Sequence, residues 1–173
     1  MAKSVSMLAE SEHRLMTSFN WRAVTWATAA HFVVDLYLNT IPPLLPYIAR
    51  MQGLTMTQTG LVLTVQSITG SFLQPFVGLC LDQWGKSWWL AATTVYSAAM
   101  IALIGLFPGY TSLLVLFGLA GLGSSLLHPL GSVVSTRSAG SQPGLAVSIY
   151  STGGNLGFSL GPLVAVWLVQ RFG

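Results

Sequence analysis

Five long apolar stretches organise the chain, at about residues 24–47, 60–81, 89–106, 113–134 and 144–169. Each approaches the roughly 20 residues that a helix needs to cross a bilayer. Polar positions inside them do not alternate with period two, as they would along a barrel strand. The stretches therefore predict helices, whose backbone groups are paired internally and so tolerate lipid. Connections are short, over residues 51–59, 82–88, 107–112 and 135–143, which sets neighbouring helices antiparallel. Residues 1–20 carry Lys3, Glu10, Glu12, His13 and Arg14 without an unbroken apolar core, so they read as a cytoplasmic N-terminal tail and not as a cleaved signal peptide. The expected fold is an all-α integral membrane bundle over residues 21–173, with five transmembrane helices.

Composition agrees with this pattern. Charged residues make up 6% of the chain and apolar residues 53%, against roughly 25% charge in a soluble domain. The net charge of +3 sits at segment ends, so it bears on topology and gives no basis for nucleic-acid binding. With the N-terminus inside, Lys3, Arg14, Arg22, Lys86 and Arg137 fall on the cytoplasmic side, and only Arg50 and Arg171 fall outside. That excess predicts a multi-pass protein of the cell inner membrane with a cytoplasmic N-terminus. The single cysteine, Cys80, has no partner for an internal disulfide and is expected as a small buried residue.

An internal repeat runs through the apolar stretches. Gly144-Leu-Ala-Val-Ser-Ile-Tyr-Ser151 lies in step with Gly60-Leu-Val-Leu-Thr-Val-Gln-Ser67, and Pro43 and Pro129 fall similarly in the first and fourth stretches. The copies end alike, at Asp82-Gln-Trp-Gly85 and Gln170-Arg-Phe-Gly173. A repeat of three helices is inverted in the membrane, the build of secondary transporters, and it calls for a sixth helix beyond the fifth stretch.

Four groups of residues carry candidate chemistry. His31 and Asp35 stand one turn apart on one face of the first helix. A carboxylate within a span costs about 2.5 to 3.5 kcal/mol on insertion scales, so Asp35 must face a cavity or a partner. The pair reads either as a proton carrier or as a hydrogen-bonded lock. His128 precedes Pro129, which loosens the fourth helix beside a titratable imidazole. Gly153, Gly154, Gly157 and Gly161, with Pro162, make the fifth helix close-packing and bendable, and Asn155 beside them is placed to reach a cavity. In the loop between the second and third stretches, which ends at Lys86, Gly78 admits a neighbouring helix, Gly85 suits a tight turn, and Asp82 offers a carboxylate that, paired to a base or a helix N-terminus, would latch one closed state. Gln66, Gln74, Tyr37 and Tyr150 are weaker polar candidates for a central cavity.

These residues carry a resemblance. Gly78-xxx-Asp82-xx-Gly85-Lys86 resembles the signature between the second and third helices of the major facilitator superfamily, and Gly153-Gly154-Asn155-xx-Phe158-xx-Gly161-Pro162 is similar to its antiporter motif. Ala30-His31-xxx-Asp35 and Gly121-x-Gly123-Ser124-Ser125-xx-His128-Pro129 resemble the fosmidomycin-resistance type of efflux protein within it. The resemblance covers all five stretches, the N-terminal part of such a protein, without the sixth helix and the C-terminal half. It implies a proton-coupled antiporter that exports small drug-like compounds, anions among them, by alternating access. The alternatives are a metabolite symporter or uniporter of the same fold, and a membrane fragment or half-transporter that needs a partner chain. Gln83 and Ser87 stand where bases are common in the family, and Phe117 replaces an arginine found in many drug–proton antiporters, so a role built on that arginine does not carry over.

Other functions find less support. Ser124 or Ser125, His128 and Asp35 include the residue types of a hydrolase triad, but no nucleophile elbow surrounds them. Metal ligation by His31, Asp35 and His128 would need three ligands to converge and has no recognised spacing. No phosphate-binding loop is present. The expectation is a transporter and not an enzyme, with no cofactor, whose partners are the bilayer, protons and a small molecule.

Overall fold

The computed structural model describes residues 18–84 and 88–172. The first helix, α1 (Trp21–Gln52), starts at Asn20, whose side chain accepts from the Ala23 N–H, and stops at Gly53 in the left-handed region (φ 65°). The second is interrupted: α2 (Met56–Ser67) opens with a capping box between Thr55 and Gln58, a π-helical turn spans Ile68–Phe72, and α3 (Gln74–Trp84) continues. Then follow α4 (Trp89–Leu103), α5 (Tyr110–Arg137) and α6 (Pro143–Phe172).

Four of these are long and apolar enough to cross a membrane: Trp21–Gln52, Met56–Cys80, Tyr110–Arg137 and Pro143–Phe172. The third apolar stretch is the exception. Its helix has 15 residues and a rise of about 22 Å, because Gly105 and Pro108 end it early and residues 104–106 form a turn. The π turn is a second departure from an uninterrupted reading. Pro75 has no N–H for the Ser71 carbonyl one turn back, and beside it the Gln74 side chain donates to the Gly70 carbonyl at 2.8 Å.

The most extensive contact is α1 against α6, while α5 occupies the centre, touching α1, α4, α6 and the broken second helix. Small residues bring α5 there. A Cβ on Gly121 would stand 2.7 Å from the Gln66 carbonyl oxygen, and one on Gly118 would stand 3.1 Å from Val65. The three-helix repeat expected from the sequence would pair the contact of α1 with α6 to that of α5 with the second helix, and both contacts are present. Chain ends of the helices are tied in pairs: the Asn20 N–H donates to the Ser138 carbonyl at 2.8 Å, and the Gly109 N–H donates to Gln52 Oε1 at 2.8 Å. These ties hold the start of α1 beside the end of α5, and the end of α1 beside the start of α5. Large apolar side chains such as Leu79, Val95, Leu163 and Trp26 lie exposed on the outside, and Cys80 is exposed with them, not buried as expected.

Candidate functional site

Asp35 is the only acid among the side chains described, and the described arginines, Arg22, Arg50, Arg137 and Arg171, all lie near helix ends. Its partners are two histidines. His31 Nε2, one turn earlier on α1, stands 3.2 Å from Asp35 Oδ2, and His128 Nε2 on α5 stands 3.7 Å from Asp35 Oδ1. The two imidazoles meet edge to face with centroids 4.8 Å apart. All three side chains are partly buried. The helical spacing explains the first contact, while the second joins residues far apart in sequence and depends on how α1 crosses α5.

Tyr150 of α6 completes the cluster. Its ring stacks on His31 with centroids 4.2 Å apart and 25° between planes, and its hydroxyl donates to the His128 carbonyl at 3.2 Å. His31 Nδ1 lies 3.0 Å from the Tyr150 carbonyl oxygen. Two glycines make this fit. A Cβ on Gly131 would stand 2.5 Å from the Tyr150 hydroxyl, and one on Gly154 would enter the His31 ring.

A cavity of about 450 Å³ opens beside the carboxylate. Asp35 and Asn39 come to it from α1, Gln66, Ser67 and Ser71 from the second helix and its π turn, Gln74 from α3, and Ser124 and His128 from α5. Asn39 also ties its amide to the Asp35 backbone carbonyl at 2.8 Å. The cavity thus sets amides, hydroxyls and titratable groups beside apolar Leu38, Pro42, Leu63 and Phe158, and no lysine or arginine lines it among the described residues.

The structure brings His31, Asp35 and His128 together and leaves Asn155 out. The Asn155 side chain is exposed, and only its carbonyl is engaged, by Ser159 Oγ at 2.8 Å. The reason is angular: one residue after Gly154, a helical side chain has turned by about 100° away from the α1 seam. Gly153, Gly154, Gly157 and Gly161 are all buried on that seam, facing Thr28, His31, Phe32, Leu36 and Asn39, whereas Pro162 is half-buried beyond it. Gln66 and Gln74 line the cavity, but Tyr37 turns to α4 and donates to the Thr94 carbonyl at 2.8 Å. Of the loop signature, Gly78 faces α5, where a Cβ on it would stand 4.0 Å from Pro129, while Gly85, Lys86 and the Asp82 side chain lie outside the described residues. Tyr150 was visible in sequence only as one polar residue among several, and Gly131 carried no signal at all.

Three ligand-type side chains do converge here, with their nitrogen and oxygen atoms within 4.8 Å of one another. That spread is wider than the roughly 4.2 Å that two ligands, each about 2.1 Å from one ion, can span. As it stands, the arrangement suits the sharing of protons along two histidine–carboxylate contacts.

A profile of the Major Facilitator Superfamily matches residues 27–173. The chain is 31% identical over 169 residues to the fosmidomycin resistance protein of Escherichia coli (strain K12), covering 98% of this chain and 41% of that protein. It is 33% identical over 145 residues to the uncharacterized MFS-type transporter YfnC of Bacillus subtilis (strain 168), covering 83% and 35%. To the multidrug resistance protein MdtG of Enterobacter lignolyticus (strain SCF1) it is 26% identical over 162 residues, covering 89% and 38%. The chain thus spans about two-fifths of the length of the curated relatives it matches.

Proposed function

Because the chain belongs to the Major Facilitator Superfamily and is a multi-pass membrane protein, we propose that it forms the proton-handling wall of a proton-coupled antiporter that exports small drug-like compounds, anions among them. The observation that carries this reading is the His31–Asp35–His128 cluster on the edge of a cavity that mixes polar and apolar side chains. An acid kept inside a bundle is costly unless it is partnered, and here its partners are themselves titratable. Protons entering from outside would load the cluster, and their release to the cytoplasm would be coupled to the outward passage of substrate through a two-state rocking of helices. Fosmidomycin, the compound after which one relative is named as a resistance protein, is the one to try first.

The N-terminus lies in the cytoplasm in this proposal, as the basic residues require. Asp82, Gly85 and Lys86 then form the cytoplasmic gate, and the glycine seam of α6 on α1 is a contact that limits leak when closed. A second reading rests on the length of the relatives: export needs a further bundle closing over the cavity, supplied by the rest of a longer protein or by a partner chain. A metabolite symporter on the same framework would use the same proton site.

Expression in an efflux-deficient bacterium tests both readings, with the chain alone and with the chain fused to the remaining part of a relative. If the cluster drives export, the active form raises fosmidomycin tolerance. Asp35→Asn then returns tolerance to the empty-vector level at equal membrane abundance. Tolerance unchanged by Asp35→Asn would overturn the proton role, and tolerance conferred only by the fusion would exclude autonomous export.

A further inference from the structure

The protonation pattern of His31 is dictated from another helix. Its Nδ1 faces the Tyr150 backbone carbonyl oxygen at 3.0 Å, an atom that only accepts, so Nδ1 must carry hydrogen to make that contact. Its Nε2 faces Asp35 Oδ2 at 3.2 Å. With hydrogen held on Nδ1, a neutral His31 turns the Nε2 lone pair toward an ionised carboxylate, placing two acceptors face to face. A proton between them relieves the conflict, whether it is formally on Nε2 or on the carboxyl.

We infer that Tyr150 and Gly154 form a tautomer lock that keeps the hydrogen of a neutral His31 on Nδ1, and so turns its Nε2 lone pair to Asp35, for as long as α6 is seated on α1. Both act as positioning residues, through His31 and without touching a substrate. Gly154 supplies access. It lies one turn after Tyr150, and a Cβ there would overlap the His31 ring, standing 2.7 Å from Cδ2 and nearer still to Cε1 and Nε2. Tyr150 supplies the acceptor and a lid, stacking on His31 while its hydroxyl reaches the His128 carbonyl. The groups facing His31 are Asp35 from its own helix, His128 from α5 and Tyr150 from α6.

When α6 slides or tilts away from α1, the carbonyl is withdrawn and His31 becomes free to put its hydrogen on Nε2, toward Asp35. The neutral histidine then satisfies the carboxylate by itself. Seam opening and tautomer exchange are thereby one event. This consequence for coupling rests on the carrier reading above, whereas the lock itself does not.

Histidine-selective 15N NMR on the chain in lipid nanodiscs tests the lock, with His13→Gln and His128→Gln variants assigning the three imidazoles. Neutral His31 is expected to carry hydrogen on Nδ1, the opposite of the tautomer that free histidine favours. In Gly154→Ala the ratio is expected to shift toward Nε2–H by about tenfold, the equivalent of one ordinary hydrogen bond. Tyr150→Phe keeps the carbonyl and the stack and should leave the ratio where it was. A neutral wild-type His31 with hydrogen on Nε2 would overturn the inference without recourse to any variant, as would a folded Gly154→Ala protein with an unchanged ratio. Because no step of this measurement involves transport, a lock found in a protein that exports nothing would count against the carrier reading and leave the lock standing.

Discussion

Replacing Gly157 by alanine tests how tightly α6 is bound to α1. The new Cβ would stand 2.9 Å from the Leu36 nitrogen and 3.1 Å from the Phe32 carbonyl carbon, and closer than either to the Phe32 carbonyl oxygen. Ordinary contact begins at 3.4 Å, and every one of these neighbours is backbone, which cannot rotate aside. The helices must separate by about half an ångström or more, and Gly153 and Gly161 on the same seam lose contact with them. Overpacking of this kind costs about 1–3 kcal/mol. Gly60→Ala is the matched control, since nothing lies within 4 Å of a Cβ there. Both variants gain the same helix propensity, up to about 1 kcal/mol, so it cancels when they are compared. Gly157→Ala should thus be less stable than Gly60→Ala by about 1–3 kcal/mol. At about 2–4 °C per kcal/mol for a chain of this size, the gap is several degrees in thermal unfolding followed by tryptophan fluorescence in one detergent. A Gly157→Ala midpoint at or above that of Gly60→Ala would refute the close seam.

Two further outcomes follow. Gln74→Leu removes the donor to the Gly70 carbonyl in the π turn and should cost about 0.5–1.5 kcal/mol in the same unfolding assay; no loss would mean that the carbonyl finds another partner. For topology, single cysteines in a Cys80→Ser background should separate the two sides. Met51→Cys should react with a membrane-impermeant maleimide on intact cells and Thr136→Cys only after permeabilisation, and the reverse pattern would overturn the N-in assignment.

Much of the bundle was legible in the residues themselves. Apolar runs of crossing length can only be satisfied as helices in lipid, and short connections leave adjacent helices no choice but to run antiparallel. The four-residue spacing that stacks His31 over Asp35, and Gly153 over Gly157 and Gly161, follows from 3.6 residues per turn. Periodicity of this sort names a face and says nothing of what the face meets. That the α6 glycines receive α1, that His128 approaches an acid on a helix distant in sequence, and that Asn155 points elsewhere were decided by which small residues let which backbones come close. The break before Pro75 needed the structure too, because a proline can bend, cap or interrupt a helix, and the sequence does not say which. The Tyr150 carbonyl was the least readable of all, since every residue owns one, and only the packing of three helices around Gly131 and Gly154 turns this one toward His31.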